Sequence, residues 1–284
     1  MKRIGILTSG GDCQGLNSTI RAVAKTLYQN YGNDGAQIIG IIDGYRGLIY
    51  NETRMMKPDD FSGILTRGGT ILGTSRQPFK LMRVIDENSV DKVAEMKKNY
   101  KKLELDCLVV LGGNGTQKTA NLLREEGLNV VSLPKTIDND LWGTDKTFGF
   151  QSAVDIATNV IDCIHTTATS HGRVFIVEVM GHKVGWLTLY AGIAGGADVI
   201  LIPEIPYDIN SVINTIKKRT ENGKKFSILA VAEGAISKEL AAMPKKKRKA
   251  AMAEIAYPSI SYKIAKEIQD ATGQETRVTV PGHF

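Results

Sequence analysis

The chain has 284 residues, and its 42% hydrophobic and 23% charged residues are the balance of a globular protein. Its three cysteines form no CxxC pair, which argues against a disulfide framework or a cysteine-based zinc site and fits a reducing compartment. The net charge of +6 depends on one run, Lys245–Lys249, because removing its five charges from the 36 basic residues leaves 31 against 30 acidic ones. The charge is therefore local, and no apolar run reaches the ~18 residues that would predict a membrane span.

Short apolar runs alternate with amphipathic stretches of helical length. In chain order the predicted strands are Arg3–Leu7, Gln37–Ile42, Cys107–Leu111, Val130–Leu133, Val174–Val179, Val199–Ile202, Ser227–Val231 and Arg277–Val280. The predicted helices are Leu16–Asn30, Ser89–Lys102, Thr116–Glu126, Phe150–Thr167, Tyr207–Asn222 and Tyr257–Thr272. This alternation predicts an α/β fold with mainly parallel sheets, and a new strand–helix series near Gly149 indicates a second domain.

Two late segments need separate interpretation. Ser237–Ala253 contains the basic run and is expected to be an exposed helix or loop inserted into the second domain. Its Lys/Arg string resembles a nuclear localisation signal, but a solvated charge run is the commoner explanation, and no aromatic residues accompany it as a nucleic-acid platform. The sequence stops at Gly282–Phe284, directly after a predicted strand, so we expect it to be part of a longer chain.

Two glycine-rich turns each follow a predicted strand and precede a predicted helix. The first is Thr8–Asn17 (TSGGDCQGLN) and the second is Val110–Thr116 (VLGGNGT), in which Thr116 is predicted to cap the helix. Glycines let backbone amides approach a phosphate beside a helix N-terminus. The alternative is a tight strand–helix turn, which needs glycine only for its conformational freedom. Two such turns in one chain favour a polyphosphate ligand.

A carboxylate pair follows the fourth predicted strand. Asp138 and Asp140 in Pro134–Asp140 (PKTIDND) point the same way if this segment is extended. One could accept a hydroxyl proton while the other helps to hold Mg²⁺. The alternative is a cluster of Asx turns that caps the next helix.

Together, five strings resemble the phosphofructokinase family: TSGGDCQGLN, GGNGT, PKTIDND, EVMGHKVGWLTLYAGIAGGAD and ETRVTVPGH. They occur in the family's order and cover nearly the whole chain. The resemblance implies two similar Rossmann-like domains with the active site in the cleft between them. It assigns residues 1–149 to donor binding, with 278–284 returning to that domain, and 150–277 to the sugar phosphate.

The resemblance also implies the reaction and the residues that perform it. A phosphoryl group would pass from ATP to the 1-hydroxyl of fructose 6-phosphate, with Asp138 as general base and Thr136 and Arg76 as further catalytic residues. The implied donor-binding residues are Gly11, Arg76, Gln77, Gly113, Asn114, Gly115, Thr116 and Lys135. The implied substrate-binding residues are Thr136, Ile137, Asp138, Arg173, Met180, Gly181, His182, Glu233, Arg277 and His283. Asn114 and Asp140 would hold Mg²⁺.

Two positions disagree about the phosphoryl donor. Gly115 leaves space for a nucleotide, where diphosphate-using relatives usually carry Asp. Lys135 is instead typical of the diphosphate users. We give Gly115 more weight, because a clash excludes a nucleotide more firmly than an added lysine does, and we therefore expect ATP. The diphosphate-dependent enzyme is the nearest alternative.

A third hypothesis is a non-catalytic relative that binds sugar phosphates, which Asn114 and the expected absence of the family's C-terminal stretch favour. Asn114 replaces the usual Asp and is a weaker Mg²⁺ ligand, and His182 stands where many members carry Arg. The family resemblance further implies a cytoplasmic, allosteric homo-oligomer, a dimer or tetramer, in which Arg173, Arg277 and His283 form a 6-phosphate clamp shared between subunits. It implies neither a nucleic-acid nor a membrane partner.

Overall fold

The computed structural model describes residues 1–85, 89–254 and 256–283. The chain forms two compact units, Met1–Gly149 and Phe150–Phe284. Each contains its own sheet of mainly or wholly parallel strands, which confirms the predicted α/β class with Rossmann-like domains. None of the helices in the described ranges is long and apolar enough to cross a membrane.

The first unit has a six-stranded sheet in the order β3-β2-β1-β4-β5-β6. Its strands are β1 (Lys2–Ser9), β2 (Ala36–Ile41), β3 (Thr53–Met56), β4 (Cys107–Gly112), β5 (Val130–Thr136) and β6 (Phe148–Gly149). Only β3 is antiparallel among these pairs. Its helices are α1 (Leu16–Tyr31), α2 (Tyr45–Tyr50), α3 (Lys92–Lys102) and α4 (Asn114–Glu125).

Helices cover both faces of this sheet because successive strand residues point to opposite sides. Ile4 and Ile6 of β1 join the core layer that contains Ile20 of α1. Leu7, the next residue along, belongs to the opposite layer with Leu123 of α4. This two-sided burial explains why the parallel strands are apolar runs without a polar alternation.

The second unit has a four-stranded parallel sheet in the order β10-β7-β9-β8. Its strands are β7 (Val174–Val179), β8 (Val199–Leu201), β9 (Ser227–Ala232) and β10 (Thr276–Thr279). Its helices are α5 (Phe150–His171), α6 (Trp186–Ala194), α7 (Ile209–Glu221), α8 (Lys238–Ala242), α9 (Lys245–Ala253) and α10 (Ile260–Thr272). Every residue of β7 and β9 is buried, as central strands require.

Two of the residues 278–284, which were predicted to return to the first domain, are placed by strand pairing. Val278 and Thr279 lie in β10, which pairs with β7 in register Val278↔Ile176 and Thr279↔Val177. These two residues therefore extend the sheet of the second unit. Phe284 lies outside the described residues.

Candidate active site

Three of the predicted motifs follow neighbouring strands of the first sheet. Strands β1, β4 and β5 are adjacent and parallel, with Ser9 beside Gly112 and Gly112 beside Pro134. The loops after these strands consequently meet at the carboxyl edge of the sheet, where open α/β folds bind their ligands.

The Gly10–Gly11 turn is bonded from two sides. Gly10 has φ +88°, its N–H donates to the Ser75 carbonyl at 3.2 Å, and its own carbonyl accepts from Thr74 Oγ1 at 2.6 Å. The Gly11 carbonyl accepts a hydrogen bond from Lys135 Nζ. A Cβ placed on Gly11 would meet nothing within 4 Å, so the space above this turn is open.

The second glycine turn opens α4, and here one prediction is wrong. The cap of α4 is Gly113, and Thr116 lies buried inside the first turn, where its Oγ1 donates to the Ser9 carbonyl at 3.3 Å. Thr116 thus joins the two glycine loops instead of capping the helix. A Cβ on Gly112 would lie 2.4 Å from Thr116 Cβ, whereas one on Gly115 would meet nothing within 4 Å.

Lys135 is 4% exposed and lies in β5. Burial lowers the pKa of Lys135, and the charges of Cys13, Asp12 and Asp138 partly oppose that shift. Burial likewise raises the pKa of Cys13 to about 11, which the nearby Lys135 charge reduces in part. The ammonium is therefore close enough to the Gly11 turn and to Asp138 to interact with both.

The Asp138 loop is not extended at Asn139, so the condition under which Asp138 and Asp140 were expected to point the same way is not met. Asn139 between them has φ +53°, and its Oδ1 accepts from the Thr147 N–H at 2.9 Å. Thr147 Oγ1 in turn donates to the Thr136 carbonyl at 2.6 Å. Asn139 is thus the residue that makes the Asx-type anchor. Asp138 is half-buried, and its N–H donates to Thr136 Oγ1 at 3.2 Å.

Asp140 and Asn114 line one pocket of about 430 Å³ within the first unit, together with Gln117, Ser132 and Thr144 among others. One carboxylate and one amide oxygen fit Mg²⁺, which binds proteins through one or two carboxylates and keeps several waters or phosphate oxygens. Within residues 1–85, 89–254 and 256–283, no group of three or more His, Cys, Asp or Glu side chains is placed to hold a metal ion.

The remaining predicted residues of the first unit differ in burial. Arg76 is exposed and Gln77 half-buried, on a segment held to the end of β1 by Thr8 Oγ1, which donates to the Gly73 carbonyl at 2.8 Å. The positive charge of Arg76 contributes to lowering the pKa of Lys135, after the dominant effect of burial. Ile137 is partly buried against the α1 side of the core.

The second unit has a separate pocket of about 550 Å³ at the carboxyl end of its sheet. Three predicted substrate residues, Met180, Glu233 and His283, line it. Glu233 Oε1 accepts from the N–H groups of Gly181 at 3.1 Å and His182 at 2.6 Å. Both residues have positive φ, so this carboxylate holds a strained turn at the pocket.

The structure does not bring Arg173 and Arg277 to this pocket. Arg173 directly precedes β7 and donates to Glu275 Oε2 at 2.5 Å, and Arg277 donates to the other oxygen of the same carboxylate. Met180 follows the far end of β7, which places it roughly 20 Å along the strand direction from Arg173. Within one chain, the predicted clamp is therefore divided between the two ends of the sheet.

Sequence reasoning missed three residues that shape these sites: Thr74, Asn139 and Glu178. Asn139 and Glu178 stand inside strings that had been singled out, and Thr74 lies two residues before Arg76, but the roles of all three depend on which groups come near them. Glu178 is a buried carboxylate that lines the 550 Å³ pocket and accepts from Ser259 Oγ at 2.5 Å. A charged residue in an otherwise apolar strand was the signal that could have identified it.

Comparison with known proteins gives a consistent result. The model of the family described as Phosphofructokinase matches residues 3–284. The chain is 59% identical to the ATP-dependent 6-phosphofructokinase of Spirochaeta thermophila, covering 100% of this chain and 77% of the relative. It is 51% identical to ATP-dependent 6-phosphofructokinase 3 of Bacteroides thetaiotaomicron, covering 99% of this chain and 78% of the relative.

Solved structures agree on the fold. Phosphofructokinase from Saccharomyces cerevisiae superposes with a TM-score of 0.83 at 31% identity, and the match covers all of this chain but 38% of the yeast chain. A pyrophosphate-dependent phosphofructokinase from Marinobacter aquaeolei gives a TM-score of 0.79 at 20% identity, covering 99% and 68% of the two chains. The second likeness concerns the fold alone.

Proposed function

Because the chain belongs to the phosphofructokinase family, we propose that it transfers a phosphoryl group from ATP to the 1-hydroxyl of fructose 6-phosphate. The observation that carries the proposal is the bonding between the loops after β1, β4 and β5. Lys135 joins the Gly11 turn, and Thr116 joins Ser9, so the glycine turns and the Asp138 loop form one assembly. Phosphoryl transfer depends on such positioning more than on covalent chemistry.

In this proposal the donor phosphates lie over the Gly11 turn and the start of α4, from Gly113 to Thr116. Both Gly11 and Gly115 have open space where a side chain would begin, which leaves room for the donor. The helix N-terminus favours the negative charge of the donor, and the exposed Arg76 can donate two parallel hydrogen bonds to a phosphate. Gln77 follows Arg76 on the same segment.

Asp138 accepts the proton of the attacking hydroxyl in this mechanism, and Thr136 and Ile137 contact the sugar beside it. Mg²⁺ would be held by Asp140 and Asn114, which line one pocket. When bound, Mg²⁺ neutralises negative charge on the donor phosphates. The amide of Asn114 adds no charge, so Asp140 supplies the only carboxylate of this pair.

We assign the sugar phosphate to the second unit's pocket. Glu233 and Met180 line it, and a carboxylate suits the hydroxyl groups of a sugar. The carboxylates of Glu178 and Glu233 both line this pocket, and their negative charges disfavour a phosphate there unless cations are added. The proposal therefore takes Arg173 and Arg277 from a neighbouring subunit of a homo-oligomer, while His182 and His283 come from the same chain.

The general-base assignment is tested by Asp138→Asn. We expect kcat to fall about 100-fold or more, because the hydroxyl loses its proton acceptor, while KM for fructose 6-phosphate changes only a few-fold. Asp145→Asn, an exposed acid of the same loop, is the matched control and should retain activity. An unchanged kcat in Asp138→Asn would remove the catalytic assignment.

The donor is tested by a coupled assay of the unaltered protein with ATP or with diphosphate. Turnover with ATP and little turnover with diphosphate is the expected result. The reverse preference would make the protein the diphosphate-dependent enzyme. Binding of fructose 6-phosphate without turnover on either donor would support the non-catalytic alternative.

A further inference from the structure

The Gly10–Gly11 turn has both of its carbonyl groups fixed by side chains from elsewhere in the first unit. Thr74 Oγ1 donates to the Gly10 carbonyl at 2.6 Å, and Lys135 Nζ donates to the Gly11 carbonyl. Thr74 comes from the segment after the β2–β3 region, and Lys135 comes from β5. Two independent anchors therefore hold two consecutive peptide groups.

The anchors also determine where the neighbouring N–H groups point. In a trans peptide the carbonyl and the following N–H point in opposite directions, and the described chain contains no cis peptide. The Gly11 N–H therefore points away from Thr74, and the Asp12 N–H points away from Lys135. Successive N–H groups in such a turn form a concave site for an anion.

The surroundings of Lys135 favour its hydrogen bond to the Gly11 carbonyl. Its side chain is 4% exposed, and its ammonium lies among the charges of Asp12 and Asp138. A buried ammonium needs hydrogen-bond acceptors, and the Gly11 carbonyl supplies one. The family resemblance implies instead that this lysine contacts the donor directly.

We propose that Lys135 is a positioning residue, which fixes the Gly11–Asp12 peptide so that the Asp12 N–H faces the donor phosphates beside the Gly11 N–H, while its own ammonium stays on the Gly11 carbonyl. This inference rests on the proposed function, because it takes the Gly11 turn as the donor site. It also removes the conflict between Lys135 and Gly115. A lysine that serves the protein backbone is compatible with a site shaped for ATP.

The test compares the loss of each anchor. Lys135→Met keeps the length of the side chain and removes its hydrogen bond, Thr74→Val removes the other anchor, and the double variant removes both. Lys102→Met, at an exposed position of α3, is the matched lysine control. Measured quantities are KM for ATP, KM for fructose 6-phosphate, kcat and the melting temperature.

Each single variant should raise KM for ATP about ten-fold, the scale of one hydrogen bond to a charged or preorganised group, with KM for fructose 6-phosphate unchanged. In the double variant, KM for ATP should rise by less than the product of the two single increases, since the loss of either hydrogen bond already releases the turn. A purely structural role would lower the melting temperature without separating the two KM values.

Two results would overturn the inference. One is a crystal structure of the ATP complex with Lys135 Nζ within hydrogen-bond distance of a phosphate oxygen. The other is a normal KM for ATP in Thr74→Val beside a raised one in Lys135→Met. The crystal structure also decides the case if Lys135→Met does not fold.

Failure of the proposed function gives a different pattern. The unaltered protein would then show no turnover with ATP. Calorimetric titration would still measure the affinity of Lys135→Met and Thr74→Val for Mg²⁺-diphosphate. An equal loss of affinity in the two variants would support the positioning role of Lys135.

Discussion

Gly115 is the residue at which we propose that the absence of a side chain selects the donor. A Cβ at this position would meet no protein atom within 4 Å, so no packing in the described structure requires glycine there. The position lies in the first turn of α4, where an acidic side chain would be favoured by the helix dipole. Space for the donor is therefore the physical reason we give for the glycine.

Gly115→Asp should reduce kcat/KM for ATP by at least ten-fold while the melting temperature stays unchanged or rises slightly. The carboxylate would repel the nucleotide's phosphates without disturbing the fold. Gly115→Ala adds volume without charge and separates the two effects. Equal losses with ATP and with diphosphate would show that this position does not determine the donor.

The three cysteines should differ widely in reactivity. Cys13 is buried, and burial raises its pKa to about 11, so about one thiol in a thousand is ionised at pH 8. Burial also raises the pKa of the partly buried Cys107, whereas Cys163 is exposed on α5. The thiolate is the reactive form, so burial and the raised pKa both disfavour the reaction of Cys13, while exposure favours that of Cys163.

Alkylation with iodoacetamide at pH 8, followed by peptide mass mapping, should label Cys163 first and Cys13 last. Labelling of Cys13 should rise about ten-fold per pH unit until the pH approaches 11, as long as the unit stays folded. Urea should abolish the difference between the sites. Rapid labelling of Cys13 at neutral pH would contradict its burial beside Lys135.

At the scale of elements, the sequence predicted those with a clear period or a continuous apolar run. The parallel strands other than the two-residue β6, and α1, were found for that reason. Helix α6 was missed because Trp186–Ala194 is apolar on nearly every side and shows no helical period. Strand β3 was missed because Thr53–Met56 is a short, half-exposed edge strand without an apolar run.

The candidate site was predictable only as far as motifs name residue types. Asp138 and the glycine turns could be selected because their spacing after strands is informative. The direction of Asp140 and the partner of Lys135 depend on one φ angle at Asn139 and on a contact 124 residues away along the chain. Neither the direction of Asp140 nor the partner of Lys135 can be predicted from the neighbouring sequence.

Helix α9 has an unfavourable charge distribution. Its first five residues, Lys245–Lys249, are all cationic, its first turn has no acidic residue, and its cap, Pro244, makes no side-chain hydrogen bond. Cations near a helix N-terminus oppose the helix dipole. The segment that was predicted to be an exposed helix or loop is thus an exposed helix, and the cations at its start destabilise that helix.

Lys246→Glu should therefore raise the melting temperature by about 1–2 °C, which corresponds to roughly 0.5 kcal/mol. Lys249→Glu makes the same change of charge farther from the helix start and should stabilise less. Differential scanning calorimetry measures both. Equal effects of the two variants would mean that net charge, and not the helix dipole, is responsible.

At the scale of the whole molecule, the division of the clamp has a consequence for assembly. Arg173 and Arg277 share Glu275 at the end of the sheet opposite to the pocket that Met180 and Glu233 line. If the arginines serve a neighbouring subunit, a site combines residues of two chains. Subunits with different defects can then complement one another.

Mixing unfolded Asp138→Asn chains with Arg173→Ser/Arg277→Ser chains and refolding them together should recover activity that neither variant has alone. For a symmetric dimer, random pairing gives roughly a quarter of the sites intact. Each variant refolded alone is the control. No recovery, in the presence of hybrid dimers detected by mass spectrometry, would contradict a shared clamp.

The strand order of the second sheet matters for biosynthesis. β7 lies between β9 and β10, and β10 begins 97 residues after β7 ends, at Thr276 against Val179. At ribosomal speeds of ~5–20 residues per second, one side of β7 stays unpaired for roughly 5–20 s, while all strands of the first unit have already been made. The unpaired edge of β7 can pair with another chain during this time. We therefore expect a chaperone to bind the emerging chain and prevent such aggregation.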